Sequence, residues 1–107
     1  MPINQWLPEK LQQNLIDNQQ LLLLDVREDN EFAYAHLQGS VHIPLNQLVN
    51  RFNELDKERD IVAICHHGMR SLQACLFLQQ AGFDRLYNLQ GGIDAWSIAC
   101  DPLVPRY

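Results

Sequence analysis

The sequence has no long hydrophobic run. Its apolar stretches, Leu21-Leu22-Leu23-Leu24 among them, fall far short of the roughly 20 residues a membrane-spanning helix requires. Cationic residues are few and scattered: eight Lys and Arg stand against thirteen Asp and Glu, for a formal charge of −5. Phosphate backbones bind to concentrated positive surfaces, so a nucleic-acid module is not expected. Cysteine is sparse and odd in number, three in 107 residues, which argues against a paired disulfide framework. No internal repeat, low-complexity stretch or Pro/Gly/Ser-rich linker divides the chain. The opening Met1-Pro2-Ile3-Asn4-Gln5 lacks the charged-then-apolar layout of a secretory signal. Together these absences predict a reduced, soluble, cytoplasmic protein with no membrane partner.

What is present is ordinary for a globular fold: 47% hydrophobic and 20% charged residues. A chain of 107 residues has room for one core, so a single domain over 1–107 is expected. Leu21 to Val26 and Asp60 to Cys65 are short apolar runs without alternation, the pattern of strands buried on both faces. Weaker strands are predicted at Ile3–Trp6, Ser40–Ile43 and Arg85–Asn88. Amphipathic stretches lie between them. Pro8 suits a first helical turn, placing Leu11, Leu15 and Ile16 on one face. Asp29 is read as the cap of a short helix carrying Phe32, and Asn46 as the cap of another carrying Leu48, Val49 and Phe52. The clearest helix spans Arg70 to Ala81, with Leu72, Cys75, Leu76 and Leu78 as its apolar positions and Gly82 as its stop. A last helix follows Gly91-Gly92 and carries Ile93 and Trp96. The alternation predicts an open α/β fold, a mainly parallel five-stranded sheet with helices on both faces.

Ligands of such sheets bind beyond the carboxyl ends of the strands. Cys65-His66-His67-Gly68-Met69-Arg70-Ser71 leaves the most apolar strand there and opens the clearest helix. A cysteine facing a helix N-terminus meets unpaired N–H groups and the positive end of the dipole. A well-placed terminus stabilises an anion by up to about 2 kcal/mol, and the thiolate is the reactive form of cysteine. Gly68 fits a loop that curls its amides inward. Cys65 is therefore read as a nucleophile rather than a core thiol.

These residues, with others, resemble the rhodanese family of thiosulfate sulfurtransferases. The loop from Cys65 to Arg70 is similar to that family's active-site loop. Asp25-Val26-Arg27 with Glu31-Phe32 and His36-Leu37-Gln38-Gly39-Ser40 resembles an upstream signature, and Asn88-Leu89-Gln90-Gly91-Gly92-Ile93 through Trp96 a downstream one. The resemblance covers essentially the whole chain and implies a rhodanese-like fold. It further implies that Cys65 takes the outer sulfur of a thiosulfate-like donor as a persulfide. The amides and side chains of His66, His67, Gly68, Met69 and Arg70 would bind the substrate. An acceptor thiol, which a thioredoxin-like protein could supply, or cyanide would remove the sulfur. No cofactor or metal is implied. Ala35 departs from a glycine common in the family, which predicts a small backbone adjustment there.

Two other functions compete. A non-catalytic rhodanese-like module for binding or regulation would tend to lack the loop cysteine. Related phosphatases and arsenate reductases resemble the chain too, but carry one more residue than the four between Cys65 and Arg70. A metal site is disfavoured because Cys65, His66 and His67 are adjacent and no Cys-x-x-Cys pair supports them.

Individual residues have bland readings as well. Arg70 could complete an anion pocket, yet a cation in a first helical turn needs a local anion of its own. His66 and His67 could touch substrate or be solvated; Met69 could form a lip or pack on the sheet. Arg27 is read as an ion-pair partner of Asp25 or Glu31 that pins the loop. Cys75 is read as core, and Cys100 as part of an extended surface segment running through the prolines at 102 and 105.

Overall fold

A computed structural model describes residues 2–18 and 20–107. The strands are β1 (Asn4–Trp6), β2 (Leu22–Asp25), β3 (Val41–His42), β4 (Ile61–Ile64) and β5 (Leu86–Leu89). They form one sheet in the order β1-β5-β4-β2-β3. Every neighbouring pair is parallel, with Leu24 beside Ala63 and Val62 beside Tyr87. The helices are α1 (Pro8–Asp17), α2 (Asp29–Tyr34), α3 (Leu48–Arg51), α4 (Met69–Gln80) and α5 (Gly92–Ala99). No helix among the described residues is long and apolar enough to cross a membrane.

The unbroken apolar runs of β2 and β4 serve two cores, because successive side chains of a strand point to opposite faces. Leu22, Leu24, Ile61, Ala63 and Cys65 pack on one face with Leu48, Ala74, Cys75 and Leu78. Leu21, Leu23, Val62 and Ile64 pack on the other with Leu11, Ile93 and Trp96. Helices α3 and α4 thus cover one face, α1 and α5 the other.

Several local expectations are corrected. Ile16 is exposed, although Leu11 and the partly buried Leu15 of α1 do join the core. Leu76 and Val49 also face solvent, while Ser71 and Ala74 lie on the buried side of α4. The N-cap of α2 is Glu28 rather than Asp29. Glu31 decides this, its carboxylate accepting the Glu28 backbone N–H at 3.0 Å in the manner of a capping box. Asn46 lies inside a 3-10 turn, Leu45–Gln47, and Gln47 precedes α3. Ala35 sits in extended backbone at φ −162°, a conformation open to any residue. Cys100 closes α5 and packs against the second core instead of lying in an extended segment.

Candidate active site

Strand β4 delivers Cys65 to the carboxyl edge of the sheet, and the chain then turns through Gly68 into α4. Gly68 has φ +100°, a left-handed conformation that L side chains rarely adopt. That turn aims its N–H at Cys65, whose Sγ accepts it at 3.0 Å. Ser71 Oγ, in the first turn of α4, lies 3.3 Å from the same sulfur. Cys65 is only 1% exposed.

A second element holds the loop from behind. The first N–H groups of α5 are free for partners, as at any helix start. Ile93 N–H donates to the Cys65 carbonyl at 2.8 Å and Asp94 N–H to the His66 carbonyl at 3.2 Å. Gly92 makes this approach possible, because a Cβ there would stand 2.3 Å from the His66 carbonyl oxygen. Asn88 of β5 adds a polar brace. Its Nδ2 donates to the Gly68 carbonyl at 3.0 Å and to Gln5 Oε1 at 2.9 Å, while its Oδ1 accepts from the Ser71 hydroxyl.

The charged groups are all spoken for. Arg70 Nη1 and Nη2 donate to the two Glu31 oxygens at 2.7 and 2.9 Å. Glu31 is the local anion that a cation in the first turn of α4 requires. The Arg70 guanidinium holds the Glu31 carboxyl down at about 2, and Glu31 in turn raises Arg70. Arg27 is fully buried and grips Asp25 through Nε and Nη2, while Nη2 also reaches the Ala35 carbonyl at 2.6 Å. Of the two partners expected for Arg27, Asp25 is the carboxylate it pairs with; Glu31 offers it a backbone carbonyl.

The remaining loop residues part company. His66 is half-buried; burial first, and then His67, lowers its pKa and favours the neutral ring. His67 is exposed, 4.0 Å from Asp94. Met69 is exposed at the rim of a cavity of about 350 Å³ that it shares with Gln5, Gly68, Leu72 and Gln90, which favours the lip over packing on the sheet. Cys75 is buried in the core and its thiol is pushed up to about 12 by burial, with the Cys65 charge adding to the effect.

One participant was not anticipated. The segment after α5 turns back, and the Tyr107 ring stacks on His66 with centroids 3.9 Å apart. Its hydroxyl accepts from Arg27 Nη1 at 2.9 Å and donates to Glu31 Oε2 at 2.8 Å. Composition alone marks this segment only by Pro102 and Pro105. Ser71 and Asn88 were also unassigned, although an asparagine inside an apolar strand signals a hydrogen-bonding duty.

A buried thiol that accepts the N–H of a left-handed glycine turn at a parallel sheet's carboxyl edge defines a class: α/β domains that hold a cysteine in the loop between a strand and the helix after it. Within that class the chain belongs to the rhodanese-like domain family, whose family model matches residues 7–99. It is 38% identical over 102 residues to a sulfurtransferase of Allochromatium vinosum, covering 95% of each chain. It is 37% identical over 94 residues to the thiosulfate sulfurtransferase GlpE of Actinobacillus pleuropneumoniae, covering 87% of this chain and 86% of that one. A crystal structure of a rhodanese-related protein from Thermoplasma volcanium superposes with a TM-score of 0.83 at 29% identity, covering 91% and 93% of the two chains.

Proposed function

We propose that this protein is a rhodanese-type sulfurtransferase that moves a sulfane sulfur from thiosulfate or a related donor to a thiol or cyanide through a persulfide on Cys65. The observation that carries the reading is the Gly68 N–H aimed at Cys65 Sγ across a loop of four residues between Cys65 and Arg70.

In the first stage the Cys65 thiolate attacks the outer sulfur of the donor. A Cys65–sulfur bond forms, the donor's S–S bond breaks, and sulfite leaves with the bonding electron pair. The persulfide carries the remaining negative charge. The Gly68 N–H, already aimed at Cys65 Sγ, supplies a preorganised donor for it at the N-terminus of α4, where the dipole favours an anion, and the other amides from His66 to Arg70 are expected to add to it. In the second stage an acceptor thiolate or cyanide attacks the outer sulfur, and Cys65 regains its thiolate. The two stages are those of covalent catalysis, with ping-pong kinetics as their signature. The reaction needs Cys65 as a free thiol, so a reducing, cytoplasmic setting is part of this reading.

The test is an intact-mass spectrum before and after thiosulfate, and again after cyanide. The native chain is expected to gain one sulfur and lose it to cyanide, while Cys65→Ala gains none. An adduct that persists in Cys65→Ala would move the chemistry to another cysteine. Absence of any adduct would favour the binding-module reading.

A further inference from the structure

Asn88 is a polar residue inside β5, 2% exposed, and it is bonded to both groups that face Cys65 Sγ. The Gly68 carbonyl can only accept, so the amide nitrogen of Asn88 is the end that faces it, at 3.0 Å, and the amide oxygen is the end that faces Ser71. Gln5 of β1 holds the same orientation, its Oε1 accepting from Asn88 Nδ2 at 2.9 Å. The one hydrogen of the Ser71 hydroxyl therefore goes to Asn88 Oδ1, and Ser71 Oγ turns a lone pair toward Cys65 Sγ, 3.3 Å away. Both bonds of this chain run away from the sulfur: Cys65 S–H to Ser71, Ser71 O–H to Asn88. Ionising Cys65 sets that lone pair against an anion. To turn its hydrogen to the sulfur, Ser71 has to leave Asn88 Oδ1 without a donor, and both residues are buried, where an unmade hydrogen bond is costly.

We infer that Asn88 is a positioning residue that restrains the nucleophile: by claiming the Ser71 hydrogen it favours the states in which Sγ is uncharged, the thiol and the persulfide, over the free thiolate between them. The inference rests on the sulfurtransferase reading. In the thiol the proton stays on Sγ, directed at Ser71. On reaction that proton leaves to solvent, the thiolate bonds to the donor's outer sulfur, the donor's S–S bond breaks, and sulfite departs with the electron pair. The negative charge has then moved from Sγ to the outer sulfur. Sγ no longer calls for a donor, and the Ser71 hydrogen returns to Asn88. The thiolate is also the form that alkylating agents and peroxides attack. Asn88 thus limits side reactions of an idle Cys65, and slows sulfur uptake in doing so.

The sign of the effect separates this role from that of a brace, whose loss slows a reaction. Asn88→Leu is close to asparagine in size and has no hydrogen-bonding atoms in its side chain. It is expected to raise two rates about two- to twelvefold, the worth of one neutral hydrogen bond. One is alkylation of Cys65 by iodoacetamide, followed by peptide mass mapping; the other is sulfur gain at Cys65 from thiosulfate. Ser71→Ala has no hydrogen to redirect, so adding Asn88→Leu to it is expected to change neither rate by more than about twofold. A third reading leaves Asn88 in place. The infrared S–H band of Cys65, taken as the difference between the native chain and Cys65→Ala, is expected at lower frequency than that of a thiol without an acceptor, and Ser71→Ala is expected to move it up. Rates lowered or unchanged in a folded Asn88→Leu, a rise that persists on Ser71→Ala, or a native S–H band at the free-thiol position would overturn the inference. Alkylation and the infrared band involve no sulfur donor. A native chain that gains no sulfur from thiosulfate would overturn the sulfurtransferase reading, and those two measurements would still decide on Asn88.

Discussion

A serine hydroxyl carries one hydrogen, and Ser71 has two claims on it. Asn88 Oδ1 is one acceptor and Cys65 Sγ, 3.3 Å away, is the other. While Cys65 is a thiol, its own hydrogen goes to Ser71 Oγ and the Ser71 hydrogen goes to Asn88. Once Cys65 is an anion, the hydrogen turns toward sulfur, adding a second donor to the Gly68 N–H. Ser71→Ala is therefore expected to slow persulfide formation about ten- to a hundredfold, the worth of one hydrogen bond to a charged group, with the circular dichroism spectrum unchanged. An unaltered rate would show that the amides alone hold the anion. Gly92 poses the opposite kind of demand, steric rather than chemical. Its φ of +67° and a backbone atom 2.3 Å from the site of a new Cβ leave Gly92→Ala nowhere to go. The substitution is expected to cost about 3 kcal/mol or more in chemical denaturation, because strain at such a φ and backbone overlap add. A loss under about 1 kcal/mol would mean that α5 can slide away from the loop freely.

At the scale of elements, α2 and α4 are joined by the Glu31–Arg70 pair, while the Tyr107 hydroxyl ties the segment after α5 to the same carboxylate. Glu31 titrates at about 2, below its ordinary 4.5, so the clamp is fully present above pH 4.5 and lost as pH falls through about 2. The difference in melting temperature between the native chain and Glu31→Gln is expected to be constant above pH 4.5 and to shrink steadily below it. A difference that grows on acidification would reverse the sign and refute the clamp. The sequence exposed the two elements but not their union. Strands β2 and β4 were legible because continuous apolar runs admit few other solutions, and α4 because Leu72, Cys75 and Leu78 recur at helical spacing ahead of Gly82. The solvent-facing Ile16 and Leu76 misled because a helix on a sheet buries a narrower stripe than its apolar content suggests. Cys65 and Gly68 were readable from one local segment. The hydroxyl of Tyr107 on Glu31 was not, being a contact across 76 positions with no periodicity to announce it. Asn88 lay between: its place inside a strand was visible, its partners on Gly68 and Ser71 were set by packing.

For the molecule as a whole, the sign of the charge decides how an anion arrives. A formal charge of −5 repels thiosulfate at long range, and the paired arginines at the loop offer no compensating patch. The helix terminus acts only within about its first turn, too short a reach to steer diffusion. Added salt screens charges beyond about 10 Å at 0.1 M, so it weakens the repulsion while leaving the short-range donors at Cys65 intact. The second-order rate constant for thiosulfate is therefore expected to stay level or rise modestly between low and moderate ionic strength, and that for benzenethiosulfonate, with half the charge, to change less. Electrostatically steered sites behave in the opposite way, their rates falling steeply as salt is added. A steep fall with thiosulfate would establish a net positive approach to Cys65 and would require Arg70 to leave Glu31 as the donor binds. Repeating the series on Glu31→Gln completes the argument: unpairing Arg70 should introduce the fall with salt that the native chain lacks.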